Sequence, residues 1–152
     1  MTEKSPFSKV AHIGVVVRDM DKVIEYYQSL GIGPFEPFKS VVAIERKMLG
    51  KPIAPDSIKM KIKIVKMGPV ELEFIEPVEG ETLWKEFLET RGEGINHLGF
   101  LVDDIDAEEA KLIEKGLTVL YRSRFKNGGG AAYFDTGKVG GILIELIQFP
   151  PE

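Results

Sequence analysis

The chain has 152 residues, 43% apolar and 29% charged, with a formal net charge of −4 and no cysteine. That balance can fill the core of one domain. It offers no basic face for nucleic acid, and it excludes disulfides, thiolate zinc sites and a cysteine nucleophile. No apolar run approaches the roughly 20 residues that span a bilayer. The opening MTEKSPFSKV lacks the apolar segment of a secretory signal. The expectation is a cytoplasmic protein with no membrane partner.

Taken in order, the first apolar run is Val10 to Val17, short and rich in β-branched residues, as in a buried strand. Asp19 follows as a helix N-cap. Val23, Tyr26, Tyr27 and Leu30 then form a helical apolar stripe, and Gly31 sits where a helix ends in a left-handed residue. A strand is expected around Val41 to Met48, and Pro52 and Pro55 read as a loop. Further strands are expected at Lys59 to Lys66 and Val70 to Ile75. Pro77 and Gly80 read as a turn, and Thr82 to Thr90 as a short helix with Leu83, Phe87 and Leu88 on one side. Trp84 reads as core packing.

The pattern then starts again. Ile95 to Val102 is a second apolar run, Asp104 a second N-cap, and Gly116 a second helix end; Ile105, Ala110, Leu112 and Ile113 form a weaker stripe. Strands follow at Thr118 to Ser123, Ala131 to Asp135 and Ile142 to Phe149. Lys126 to Gly130 is glycine-rich but lacks the lysine and serine or threonine that end a P-loop, so it reads as a hairpin loop.

The two halves align. HIGVVVRDMDKVIEYYQSLGI, starting at His12, lies over HLGFLVDDIDAEEAKLIEKGL, starting at His97, without a gap. GPVELEFI lies over GGILIELI, which sets Glu73 opposite Glu145. The fold expected is α+β: two tandem βαβββ modules, residues 8–77 and 93–150, joined by a helical connector over residues 78–92. Together they make one domain over residues 1–152, a curved mixed sheet around a metal site.

The metal site is expected from residue chemistry. His12 and His97 are the chain's only histidines, and both occupy the same position of the repeat. Glu73 and Glu145 interrupt apolar strands, where a carboxylate is costly unless paired or bound to a metal. Two histidines and two carboxylates in repeat positions suit an N₂O₂ site for Co, Mn, Ni, Zn or Fe, with coordination positions left open.

The paired HIG and HLG openings, the two strand glutamates and the run GEGINHLGFLVDDID resemble the vicinal oxygen chelate superfamily. Its members include glyoxalase I, methylmalonyl-CoA epimerase, extradiol dioxygenases and bleomycin-resistance proteins. The resemblance covers nearly the whole chain. It is similar most of all to the epimerases, through Gly94 to Asp106, KEFLETRGEG and the ending GGILIELIQFP. The resemblance implies His12, Glu73, His97 and Glu145 as metal ligands. It also implies an epimerase or isomerase that removes a proton α to a carbonyl through a metal-stabilised enediolate, with an acyl-CoA or other small carbonyl compound as substrate and no further cofactor. Glu145 or Glu73 is implied as a base that can leave the metal, and Glu45 lies near a second acid/base position. Epimerases often carry glutamine where this chain has Glu73, and glutamate is more usual in glyoxalases. A glyoxalase I-like lactoylglutathione lyase is therefore the alternative, ahead of a dioxygenase or a metal-free binding protein of the bleomycin-resistance kind. A homodimer is expected, because it would cover open sheet edges.

Overall fold

The computed structural model describes residues 5–152. In chain order its first half holds β1 (Val10–Val16), α1 (Met20–Ser29), β2 (Glu36–Pro37), β3 (Ala43–Met48), β4 (Lys51–Ile53), β5 (Lys59–Met67), β6 (Val70–Glu79) and α2 (Leu83–Arg91). The rest holds β7 (Gly94–Leu101), α3 (Ile105–Glu114), β8 (Val119–Phe125), β9 (Gly130–Phe134) and β10 (Leu143–Gln148). These elements pack as two compact units. One comprises His12–Ser40 and Asp56–His97; the other comprises the described residues up to Ala11, Val41–Pro55 and Leu98–Glu152.

In the first unit the strand order is β2-β5-β6-β1. β5 and β6 form an antiparallel hairpin, and β6 runs parallel to β1, with Ile13 beside Leu72 and Gly14 beside Glu73. Alternation along β6 then sorts the side chains. Leu72 and Phe74 face α1, where Val17, Met20, Val65 and Phe74 make a core joined by Val23 and Tyr27. Glu73 and Ile75 point to the opposite face. The helix begins where Asp19 accepts a hydrogen bond from the Lys22 amide, and it ends beside Gly31 at φ 87°. Tyr26 departs from the expected core stripe: it is 62% exposed, because the stripe narrows to Val23, Ile24 and Tyr27 against the sheet. Leu30 is the C-cap and is also exposed. The α2 helix is capped by Thr82 and buries Trp84.

In the second unit the order is β10-β9-β8-β3-β4, antiparallel throughout. The strand expected near Val41 to Met48 exists, and its partner is β8. Pro52 is not in a loop but in β4, the outermost strand of this unit, opposite Lys47; an edge strand tolerates a residue with no N–H to donate. The Lys126 to Gly130 stretch is the turn between β8 and β9, with Asn127, Gly128 and Gly129 all at positive φ, which glycine accepts without strain. Leu146, Phe134, Ala132 and Phe100 face α3 and pack against Ile105 and Leu112. Asp104 caps this helix through the Ala107 amide, and Gly116 ends it at φ 96°.

On the α3 side, Arg122 is buried between Asp106 (2.7 Å) and Glu109 (2.7 Å). Asp106 also meets Arg124 at 3.2 Å. Its hydrogen bond to Arg124 holds the Asp106 carboxyl below the ordinary value of 3.8, against burial, which pushes the other way. A lowered carboxyl stabilises the fold above the unfolded-state value, and that stability is lost as pH falls through the folded one.

Two outcomes are expected. Phe134→Ala removes a fully buried ring and should cost about 3–5 kcal/mol in urea unfolding. Asp106→Asn should flatten the loss of stability as pH falls through and below the ordinary carboxyl value of 3.8, relative to the parent, with little change in its m-value.

Candidate metal centre

Strand alternation puts His12, Gly14 and Val16 on the β1 face shared with Glu73. His97 comes from β7. All three polar side chains are buried: His12 at 2%, Glu73 at 3% and His97 at 0% exposure. His12 Nε2 lies 3.5 Å from Glu73 Oε2, His97 Nε2 lies 3.4 Å from Glu73 Oε1, and the two Nε2 atoms are 3.2 Å apart. The rings stand at 90° with centroids 5.3 Å apart, so each aims one nitrogen at the same point.

Two neighbours fix this arrangement. Asn96 is buried beside His97, and its Oδ1 lies 2.8 Å from His97 Nδ1. The carbonyl oxygen accepts, so Nδ1 carries the proton and Nε2 presents its lone pair to the cluster. Gly14 is the floor: a Cβ there would overlap the His97 ring. The glycine of the HIG opening is thus explained by space, since its φ is not in the left-handed region. A polar Asn96 within an apolar strand run was a visible signal in the sequence; Gly14 showed only as part of the repeat.

Two imidazole nitrogens and a carboxylate, all buried and within 3.5 Å, form a donor set that fits a divalent transition ion. Among the described residues no lysine or arginine ion-pairs with Glu73, so the charge beside the imidazole lone pairs is one that a bound cation would meet.

The sequence profile of the glyoxalase/bleomycin resistance protein/dioxygenase superfamily matches residues 11–134. The chain belongs to this superfamily. The uncharacterized protein YqjC of Bacillus subtilis (strain 168) is 24% identical over 144 residues, covering 93% of this chain and 92% of its own. Among solved structures, methylmalonyl-CoA epimerase from Mycobacterium tuberculosis matches with a TM-score of 0.67 at 24% identity, over 99% of this chain and 94% of its own. A Streptomyces coelicolor methylmalonyl-CoA epimerase, solved with 2-nitronate-propionyl-CoA, matches at 0.64 and 21% identity over 93% and 97%. At these identities the structural likeness is one of fold: the mixed α+β sheet of this superfamily.

Against that superfamily fold, the remaining expected residues fall in the second compact unit. Glu145 is buried on β10, opposite Tyr133, which in turn lies opposite Tyr121 on β8. Opposed residues share a face, so Glu145, Tyr133 and Tyr121 look the same way, as do Ser123 and Arg46 one step along. Burial pushes the Tyr121 phenol above its ordinary value of 10.0, and the charge of Glu145 adds to this, while Arg46 and the hydrogen bond with Ser123 oppose it. Glu45 is not on that face. It stands opposite Arg124 and ion-pairs with it at 3.4 Å, exposed on the α3 side, so the structure does not bring it to Glu145 as a second acid/base. The cause is register: Glu45 and Arg46 are neighbours on β3, and only Arg46 has the parity of Glu145.

Gly14→Ala should push the His97 ring from the cluster. The expected result is at least a tenfold loss of Mn²⁺ or Co²⁺ affinity by titration calorimetry, with helix and sheet content unchanged by circular dichroism.

Proposed function

We propose that this chain is a divalent-metal-dependent enzyme that moves a proton α to a carbonyl, with methylmalonyl-CoA as the first substrate to test. The observation that carries the reading is the buried Glu73 carboxylate against the two histidine Nε2 atoms. Glu145, its counterpart in the repeat, is assigned as the fourth ligand. A divalent ion held there supplies a Lewis acid that polarises a carbonyl oxygen.

The protein's own residues do the rest. The two histidines give neutral nitrogen lone pairs, and Asn96 fixes the His97 tautomer. Glu73 offsets the cation's charge. A Glu145 carboxylate oxygen takes the α-proton, leaving a planar carbon, and returns it; inversion follows when that carbon turns its other face to the protonated Glu145 before the proton goes back. Its burial keeps bulk water from competing for that proton. The likeness of fold to methylmalonyl-CoA epimerases, one of them solved with 2-nitronate-propionyl-CoA, supports an acyl-CoA substrate. The homodimer and the cytoplasmic setting expected from the sequence remain part of this proposal; no described helix is long and apolar enough to cross a membrane. One observation favours a second reading. Glutamate rather than glutamine at position 73 suits a lyase acting on hemithioacetals.

In D₂O, the metal-loaded protein should exchange the α-proton of methylmalonyl-CoA for deuterium, followed by NMR. Glu145→Gln should slow the exchange by about 100-fold or more. No exchange with acyl-CoA thioesters, alongside turnover of hemithioacetals, would move the chain to the lyase branch.

A further inference from the structure

Arg46 is the one cation on the Glu145 face of β3. Its Nε donates to the Pro55 carbonyl at 3.0 Å, and its Nη1 donates to the Tyr121 hydroxyl. Arg122 and Arg124, on the neighbouring strand β8, are matched by Asp106, Glu109 and Glu45 on the α3 side. Among the described residues no carboxylate ion-pairs with Arg46, and it is half-buried. Five N–H groups make a guanidinium, and the two bonds named use two of them, leaving donors and a whole positive charge uncommitted.

Placement gives the charge a direction. Arg46 lies opposite Ser123, Ser123 opposite Ala131, and Ala131 opposite Ile147, two residues from Glu145 on the same face. Tyr121 reaches Arg46 diagonally, from the strand pair next in register, and Tyr121 is itself only 3% exposed. The phenol and the Pro55 carbonyl therefore hold the guanidinium in place, and strand parity puts Arg46 on the face that carries Glu145.

We propose that Arg46, braced by Tyr121 and the Pro55 carbonyl, is the subsite that binds an anionic carboxylate of the substrate, so that the enzyme prefers carbonyl compounds bearing a carboxylate over uncharged ones. This rests on the proposed proton-transfer reading for where the substrate lies. Planar guanidinium and planar carboxylate match in shape, and a charge-assisted pair out of bulk water discriminates strongly against a neutral isostere. Tyr121 acts here as a positioning residue: it fixes the guanidinium and needs no change of protonation.

The test uses the Mn²⁺-loaded protein with malonate and its neutral diamide, malonamide, as probes, in titration calorimetry. The parent should bind malonate more tightly. Arg46→Gln should weaken malonate by roughly tenfold or more while leaving malonamide and Mn²⁺ affinity unchanged. Arg46→Lys, which keeps the charge and loses the fork, should recover part of the preference. Tyr121→Phe should weaken malonate by a few-fold with malonamide unaffected. Equal malonate affinity in the parent and in a folded, metal-loaded Arg46→Gln would overturn the subsite, as would a preference that Arg46→Lys fails to recover at all. The two proposals separate cleanly. Arg46-dependent malonate binding without α-proton exchange keeps the subsite and retires the reaction; exchange with no charge preference does the reverse.

Discussion

A carboxylate with almost no access to water must be met by positive charge or by hydrogen-bond donors, because transferring it unpaired costs more than most folds can spare. Glu73 is such a carboxylate, and beside it stand two imidazoles, a donor set whose charge a divalent cation would complete. Much of the first compact unit follows from that need. β6 carries Glu73 between Leu72 and Phe74, which face α1, so the strand is anchored by apolar packing on one side while it presents charge on the other. β1 lies parallel beside it and brings Gly14 level with Glu73, and the absent side chain at Gly14 makes room for the His97 ring.

The second unit uses the same two-sided logic with different chemistry. Its helix side is a matched array: Asp106, Glu109 and Glu45 against Arg122 and Arg124, around the apolar core of Phe134 and Leu146. Its other side carries Glu145, two tyrosines, Ser123 and Arg46. One strand, β3, feeds both arrays. Glu45 and Lys47 face the helix, and Arg46 and Met48 face the side of Glu145. Adjacent residues of opposite charge thus serve opposite surfaces, which only the pleat keeps apart.

This explains what could be read from the residues alone. Alternation and the internal repeat made β1, β7, the last strands and both aspartate caps legible, because each is a local pattern confirmed by a second copy. His12, Glu73 and His97 were legible for a chemical reason: polar ligating residues are conspicuous inside apolar strands. Glu45 misled because its parity depends on a bulge between Ala43 and Glu45 and on a pairing with β8, some 75 positions away in the chain, neither of which is written locally. The same distance hid Arg46 and Tyr121, which look like ordinary strand residues until register joins them. Pro52 reads as a loop residue in the sequence because nothing in the neighbouring residues marks β4 as an edge.

The repeat also shows where identical residues stop being equivalent. His12 and His97 occupy one position of the repeat, yet their neighbours differ: Ala11 precedes the first and Asn96 the second. Only His97 gains a carbonyl oxygen on its Nδ1 from the residue before it, and it is His97 whose ring lies over Gly14. Its tautomer and its position are therefore both fixed by residues of the first unit, and the Nε2 of His12 lies against Glu73 and His97. The departure from duplication at Asn96 thus makes two like imidazoles unequal: the one beside a carbonyl oxygen has its tautomer set by its own strand.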